Sequence, residues 1–152
     1  MIISFAGHSF VSNQEKIKSK LKTIIREIAV REIKVFCYCG GYGEFDNLCA
    51  LACRELKKEG LNIEIVYVTP YLSLSQQRKI NEMQKEKIYD GVVYPPIENS
   101  PPKFAISKRN QWMMEQADVV IAYVKHEYGG AAQSLLYAKR KKKKIITLHE
   151  QK

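Results

Sequence analysis

Five stretches of this sequence are apolar almost without interruption and short enough to be strands: "MIISFAG", "IKVFCYCGG", "NIEIVYVTPY", "DVVIAYV" and "KIITLH". A shorter one, "GVVYPP", lies between the third and the fourth. A strand with one wet face alternates apolar and polar residues. A continuous run is buried on both faces, which is the habit of parallel sheets covered by helices above and below. No other feature of the chain restricts its fold as much.

The segments between the runs have helical spacing. Ser12 or Asn13 can cap a helix whose apolar positions include Ile17, Leu21, Ile24, Ile25 and Ile28. The next buries Phe45, Leu48, Cys49, Ala52 and Leu56 and stops at Gly60. Residues 73–87 are polar and helical, "NSPP" is an irregular loop, and helices are expected over 105–117 and 131–142. Strands alternating with helices predict an α/β fold. The expectation is a single Rossmann-like three-layer sandwich with a mainly parallel sheet, spanning 1–152 as one domain. The length of 152 residues suits one full-sized core.

Composition is ordinary for a globular chain, 45% apolar and 27% charged. The opening "MIISFA" is too short, and lacks the basic flank, for a signal peptide or a membrane span, so the expected location is cytoplasmic and no membrane partner is expected. Cys37, Cys39, Cys49 and Cys53 fall at strand and helix-face positions and read as small buried apolar residues in a reducing compartment, not as a metal site. The formal charge is +9, much of it in "KRKKKK", Lys139 to Lys144. No aromatic residues interleave with that run. It reads as the solvated last turn of a helix, where cations complement the dipole, in preference to a nucleic-acid patch.

Open parallel sheets bind ligands at the carboxyl ends of their strands. Three loops there are specialised: "AGHS", "CGGYGEFD" and "HEYGGA". Gly40, Gly41 and Gly43 allow positive φ and close backbone approach, as a tight turn or as a ligand contact. Glu44 and Asp46 fall in a first helical turn, which acids stabilise. As ligand groups they could accept hydrogen bonds from a ribose or a base, hold a divalent cation, or act as general base. They suit bare phosphate poorly. "YGGAAQ" suits it better, since Gly129 and Gly130 precede a helix without acids in its first turn. A plain turn accounts for it equally well. In "KRNQWMM", Ile106, Asn110, Met113 and Ala117 share one helix face, so Asn110 is a polar group on an apolar stripe that must be satisfied, by a neighbouring loop or by a ligand. Arg109 and Trp112 share the adjoining face, where the guanidinium lies over the indole or reaches a phosphate. His8 could donate to a ligand, act as acid or base, or cap its loop. His126 and His149 have no evident partners, and no serine triad is present. No cofactor is identified.

The stretches "FAGHS", "GGYGEFD", "AISKRNQWMMEQADVVIAYV" and "YGGAAQSLLYAKRKKKKII" together resemble the SLOG superfamily, and most closely its small YpsA-like branch of bacterial proteins without a defined function. The superfamily includes the DNA-processing Smf/DprA proteins and the LOG phosphoribohydrolases. The resemblance spans nearly the whole chain. It implies a Rossmann-like fold, a nucleotide or nucleotide-derived ligand, and a homodimer. It carries Gly7 and His8, the glycine turn with Asp46, Arg109 with Asn110, and Gly129 with Gly130 into the site. LOG hydrolases have a loop of the form PGGxGTxxE. Here Tyr128 replaces the proline, Ala132 and Gln133 replace Gly-Thr, and Leu136 stands at the catalytic glutamate. Binding or sensing of a nucleotide-like ligand is therefore the first expectation. An N-glycosidic enzyme using Asp46 or Glu44 is the second, and a DNA-associated protein the third.

Overall fold

The computed structural model describes residues 1–148; His149, expected to end the last strand, lies outside them. Six strands are β1 (Ile2–Gly7), β2 (Val35–Cys39), β3 (Ile63–Val68), β4 (Gly91–Val93), β5 (Val119–Tyr123) and β6 (Lys144–Thr147). Five helices are α1 (Gln14–Ala29), α2 (Glu44–Lys58), α3 (Leu74–Lys85), α4 (Ala105–Gln116) and α5 (Gly130–Arg140), with a 3-10 turn, Pro102–Phe104, leading into α4. The strands form one sheet in the order β4-β3-β2-β1-β5-β6, and every neighbouring pair is parallel.

The apolar runs explain the layers. Alternate residues of a strand face opposite sides. Ile3 and Phe5, Cys37 and Cys39, Ile63 and Ile65, and Val119 and Ile121 join α1 and α2 in one cluster. Ala6, Val68 and Val120 join Met113 and Met114 of α4 and Ala138 of α5 in the other. All four cysteines are free and buried in the first cluster, as their positions implied. One polar group enters the core from β1. Ser4 is fully buried, and its hydroxyl donates to the Met113 carbonyl at 2.8 Å.

The face of α4 differs from expectation. Its buried residues are Ala105, Arg109, Met113 and Met114, while Ile106 is 45% exposed. The helix is turned by about one residue, so that the arginine and not the asparagine enters the interior. The lysine run ends α5 at the amino-terminal edge of the sheet, just before β6. There Lys143 Nζ donates to the Glu115 carbonyl at 2.8 Å and Lys141 pairs with the Glu115 carboxylate at 3.8 Å, so part of the run ties the end of α4 to α5.

Strand order sets the position of the site. The chain leaves β1 for β2 on one side and returns, after β4, to β5 on the other. A crevice forms where such a reversal separates the loops beyond two adjacent strands. Here those strands are β1 and β5.

Candidate functional site

The crevice holds a cavity of about 580 Å³. Its walls are residues 5–10 at the end of β1, Tyr42 and Asp46 before and within α2, Arg109 and Asn110 of α4, and the segment from Tyr123 to the first turn of α5.

Two helices begin beside it from the same kind of glycine. Gly43 caps α2 with φ 90° and ψ 170°; Gly129 caps α5 with φ 91° and ψ 176°. This region of backbone space is open in practice only to glycine. The two helix starts nevertheless differ in what they offer. At α2 the first donor is used, since Glu44 N–H bonds the Ser9 carbonyl at 2.9 Å, while the N–H groups of Phe45 and Asp46 have no partner among the described residues. The first intrahelical bonds, Asn47 N–H to the Gly43 carbonyl at 3.2 Å and Gln133 N–H to the Gly129 carbonyl at 3.1 Å, are alike in the two helices. The Glu44 carboxylate accepts from Val11 N–H at 2.7 Å, and Asp46 accepts from Tyr42 N–H at 3.2 Å. A Cβ on Gly43 would stand 2.8 Å from Ser9 Cα, so the glycine also lets the β1 loop lie against the helix. At α5 no acid lies in the first turn and no side chain caps it. The N–H groups of Gly130, Ala131 and Ala132 have no partner among the described residues, and nothing stands within 4 Å of a Cβ built on Gly129 or Gly130. An uncapped helix start with an open approach favours an anion.

Asp46 and Arg109 form the inner wall. A Cβ on Gly40 would lie 3.0 Å from Asp46 Oδ2 and 3.3 Å from Arg109 Cζ, so the glycine admits both groups to one place. Burial raises the Asp46 carboxyl from 3.8 to about 6, against the opposing pull of Tyr42 N–H and the Arg109 guanidinium. Arg109 is 3% exposed. Its Nη1 donates to the carbonyls of Gly40 at 2.9 Å and Val68 at 2.8 Å, and its Nε to Asn110 Oδ1 at 2.9 Å. Carbonyls at strand ends need donors, and this buried arginine supplies them. The loop-tying role expected of Asn110 therefore falls to Arg109. Trp112 lies instead parallel to Tyr38, with ring centroids 5.8 Å apart.

The outer wall is aromatic. His8 stacks on His126 at 3.8 Å, and His126 on Tyr128 at 4.2 Å. Lys125 N–H donates to His8 Nε2 at 2.8 Å, which joins the β1 and β5 loops and makes that nitrogen an acceptor. Phe10, Tyr42 and Tyr128 are each more than 70% exposed around the cavity mouth. His126 gave no sign of this in the sequence, because His8 reaches it from the loop after β1.

Of the residues singled out in sequence, Gly7, His8, Asp46, Arg109, Asn110, Gly129 and Gly130 line the cavity together. Gly40, Gly41, Gly43 and Glu44 stand behind its wall: Gly41 lies against the Tyr67 ring, and Glu44 clamps the β1 loop. Leu136 is 51% exposed and is not among the lining residues. Among the described residues no cluster of His, Cys, Asp and Glu could hold a metal ion, and no helix is long and apolar enough to cross a membrane.

No family model matches the chain. It is 26% identical over 144 residues to YoqJ, an uncharacterised SPbeta prophage-derived protein of Bacillus subtilis strain 168, covering 82% of this chain and 81% of that one. Its structure is similar to that of DNA processing protein A from Helicobacter pylori, described for its single-stranded DNA binding mode. That superposition has a TM-score of 0.67 and 18% identity over 99% of this chain and 66% of the other. At such identity the likeness speaks for the fold alone, a Rossmann-like one. This chain spans about two thirds of that protein.

Proposed function

We propose that the carboxyl-edge cavity binds a nucleotide unit, with its phosphate at the start of α5 and its base against the aromatic wall. The observation that carries this reading is the contrast between the two glycine-capped helix starts. The α2 start carries two acids and gives its first N–H to the Ser9 carbonyl, whereas the α5 start carries no acid and presents three N–H groups, without partners among the described residues, to a cavity edged by stacked aromatic rings. The donors suit a phosphate and the ring faces suit a base. Asp46 then stands on the sugar side, where its acceptor oxygens meet ribose hydroxyls. Placement in the YpsA-like branch belongs to the same proposal and rests on the motif succession.

Calorimetry with nucleoside 5′-monophosphates tests it. Saturable binding is expected, weakened more than about tenfold by Ala131→Glu, which sets a carboxylate at the seat of the anion. The same change complements the helix dipole, so thermal stability should hold or rise while affinity falls. Absence of heat with every nucleotide, or unchanged affinity in Ala131→Glu, overturns the proposal.

A second reading, single-stranded DNA as the ligand, draws on the exposed Phe10, Tyr42 and Tyr128 and on the fold shared with DNA processing protein A. Aromatic platforms at a phosphate-binding edge are a common way of holding single strands. Anisotropy of a labelled thymidine 12-mer should rise on titration, with affinity falling steeply in salt and on Tyr128→Ala. A signal indifferent to Tyr128 would remove the cavity edge from strand binding.

A further inference from the structure

A second cavity, about 260 Å³, lies between α4 and α5, edged by Lys103, Ser107, Gln111 and Gln133. It adjoins the first: Ile106, Asn110, Gly130 and Ser134 line both. The start of α5 therefore stands between two adjoining compartments, which together edge one groove.

Two side chains at this junction have a polar group without a partner among the described residues. Ser134 is 8% exposed, and its hydroxyl makes no hydrogen bond among the described residues. Its oxygen is not sealed in the interior, so it faces the groove. Asn110 has Oδ1 engaged by Arg109 Nε, which leaves its amino group without a partner among the described residues. Nearly all buried polar groups in folded proteins are satisfied, by protein, water or ligand. Both groups here can donate, as can the N–H groups of the first α5 turn beside them. The second compartment is lined by no carboxylate. Beyond Asn110 at the junction it carries one cation and two further side-chain amides, which can donate and accept toward the edges of a base.

We infer that the groove takes two nucleoside units joined through one phosphate. The bridging phosphate sits at Gly130, between the Ser134 hydroxyl and the Asn110 amino group. The first unit lies on the aromatic wall and the second among Ser107, Gln111 and Gln133. This rests on the reading of the first cavity as a nucleotide site. The chemistry is the same for a free dinucleotide and for two successive units of a strand.

Calorimetry on the intact chain would use the four deoxynucleoside 5′-monophosphates, the four matching homodinucleoside monophosphates, and the matching 12-mers. The best dinucleotide should bind at least about tenfold tighter than its monophosphate, as two added hydrogen bonds would give. Ser107→Leu, at an exposed position, should reduce that preference to less than about threefold, and Ser134→Ala should weaken both ligands. Equal affinity of dinucleotide and 12-mer would assign the groove to the free molecule, and a further gain with the 12-mer to the strand; either supports the two-unit site. Monophosphates that bind while dinucleotides bind no tighter, or a preference that survives Ser107→Leu, overturn the inference and leave the nucleotide reading standing. If nothing binds, both fall.

Discussion

Asp46→Asn separates the two forces acting on the inner wall. Burial disfavours the charged carboxylate, and Arg109 favours it; burial prevails, with a value near 6 against 3.8 in an ordinary aspartate. That difference amounts to about 3 kcal/mol in favour of the protonated form, a ceiling because the cavity admits solvent to the carboxylate. The sign follows from proton counting. Below pH 3.8 the group is neutral in both states and contributes nothing. Between 3.8 and 6 the unfolded chain releases the proton and the folded chain keeps it, so stability falls as pH rises. Above 6 the penalty is complete. The asparagine variant lacks this penalty, and any contact it gains or loses shifts its stability by an amount independent of pH. Urea denaturation of both proteins from pH 3.5 to 8 should show the variant gaining on the wild type through this window, by up to about 3 kcal/mol, then running parallel. A flat difference, or a wild type that gains as pH rises, would mean that Arg109 and not burial governs Asp46.

Other outcomes follow from the same geometry. Arg109→Met should cost about 2–4 kcal/mol in urea denaturation, since the Gly40 and Val68 carbonyls lose their donor. Replacing Lys139, Arg140 and Lys142 by glutamine should leave nucleotide affinity within about twofold in calorimetry, because they lie at the far edge of the sheet from the cavity. Chromatography of nucleoside monophosphates incubated with the protein should show no free base above the protein-free control, since the proposed role of the cavity is binding. Base release that disappears in Asp46→Ala would instead assign catalysis to that carboxylate.

The sheet was legible in the sequence because burial on both faces leaves a mark in the inner strands, though the edge strands β4 and β6 are only partly buried. Even the three-residue β4 was marked, by "GVV" before two prolines. The start of α5 was legible for a similar reason: glycines followed by a helix without acids is a local pattern. The role of α4 was not. Helical spacing put Asn110 and Arg109 on adjacent faces, and the rotation that buries the arginine depends on carbonyls at the ends of two strands far away in the chain. The three glycines of "CGGYGEFD" were ambiguous for the same reason. Whether a glycine admits a ligand or a neighbouring loop depends on what arrives from elsewhere. Here Ser9, Tyr67 and Arg109 arrive. The histidine stack was out of reach because it joins loops that meet only once β1 and β5 pair.

Amide shifts by two-dimensional ¹⁵N–¹H NMR test the phosphate seat most directly. A nucleoside 5′-monophosphate and its nucleoside would be titrated in parallel. The monophosphate should move the Gly130, Ala131 and Ala132 resonances and the nucleoside should leave them in place, while both perturb His126 and Tyr128. Shifts at Glu44 to Asp46 without any at the start of α5, or the same response to nucleoside and monophosphate, would contradict the assignment of the anion to this helix.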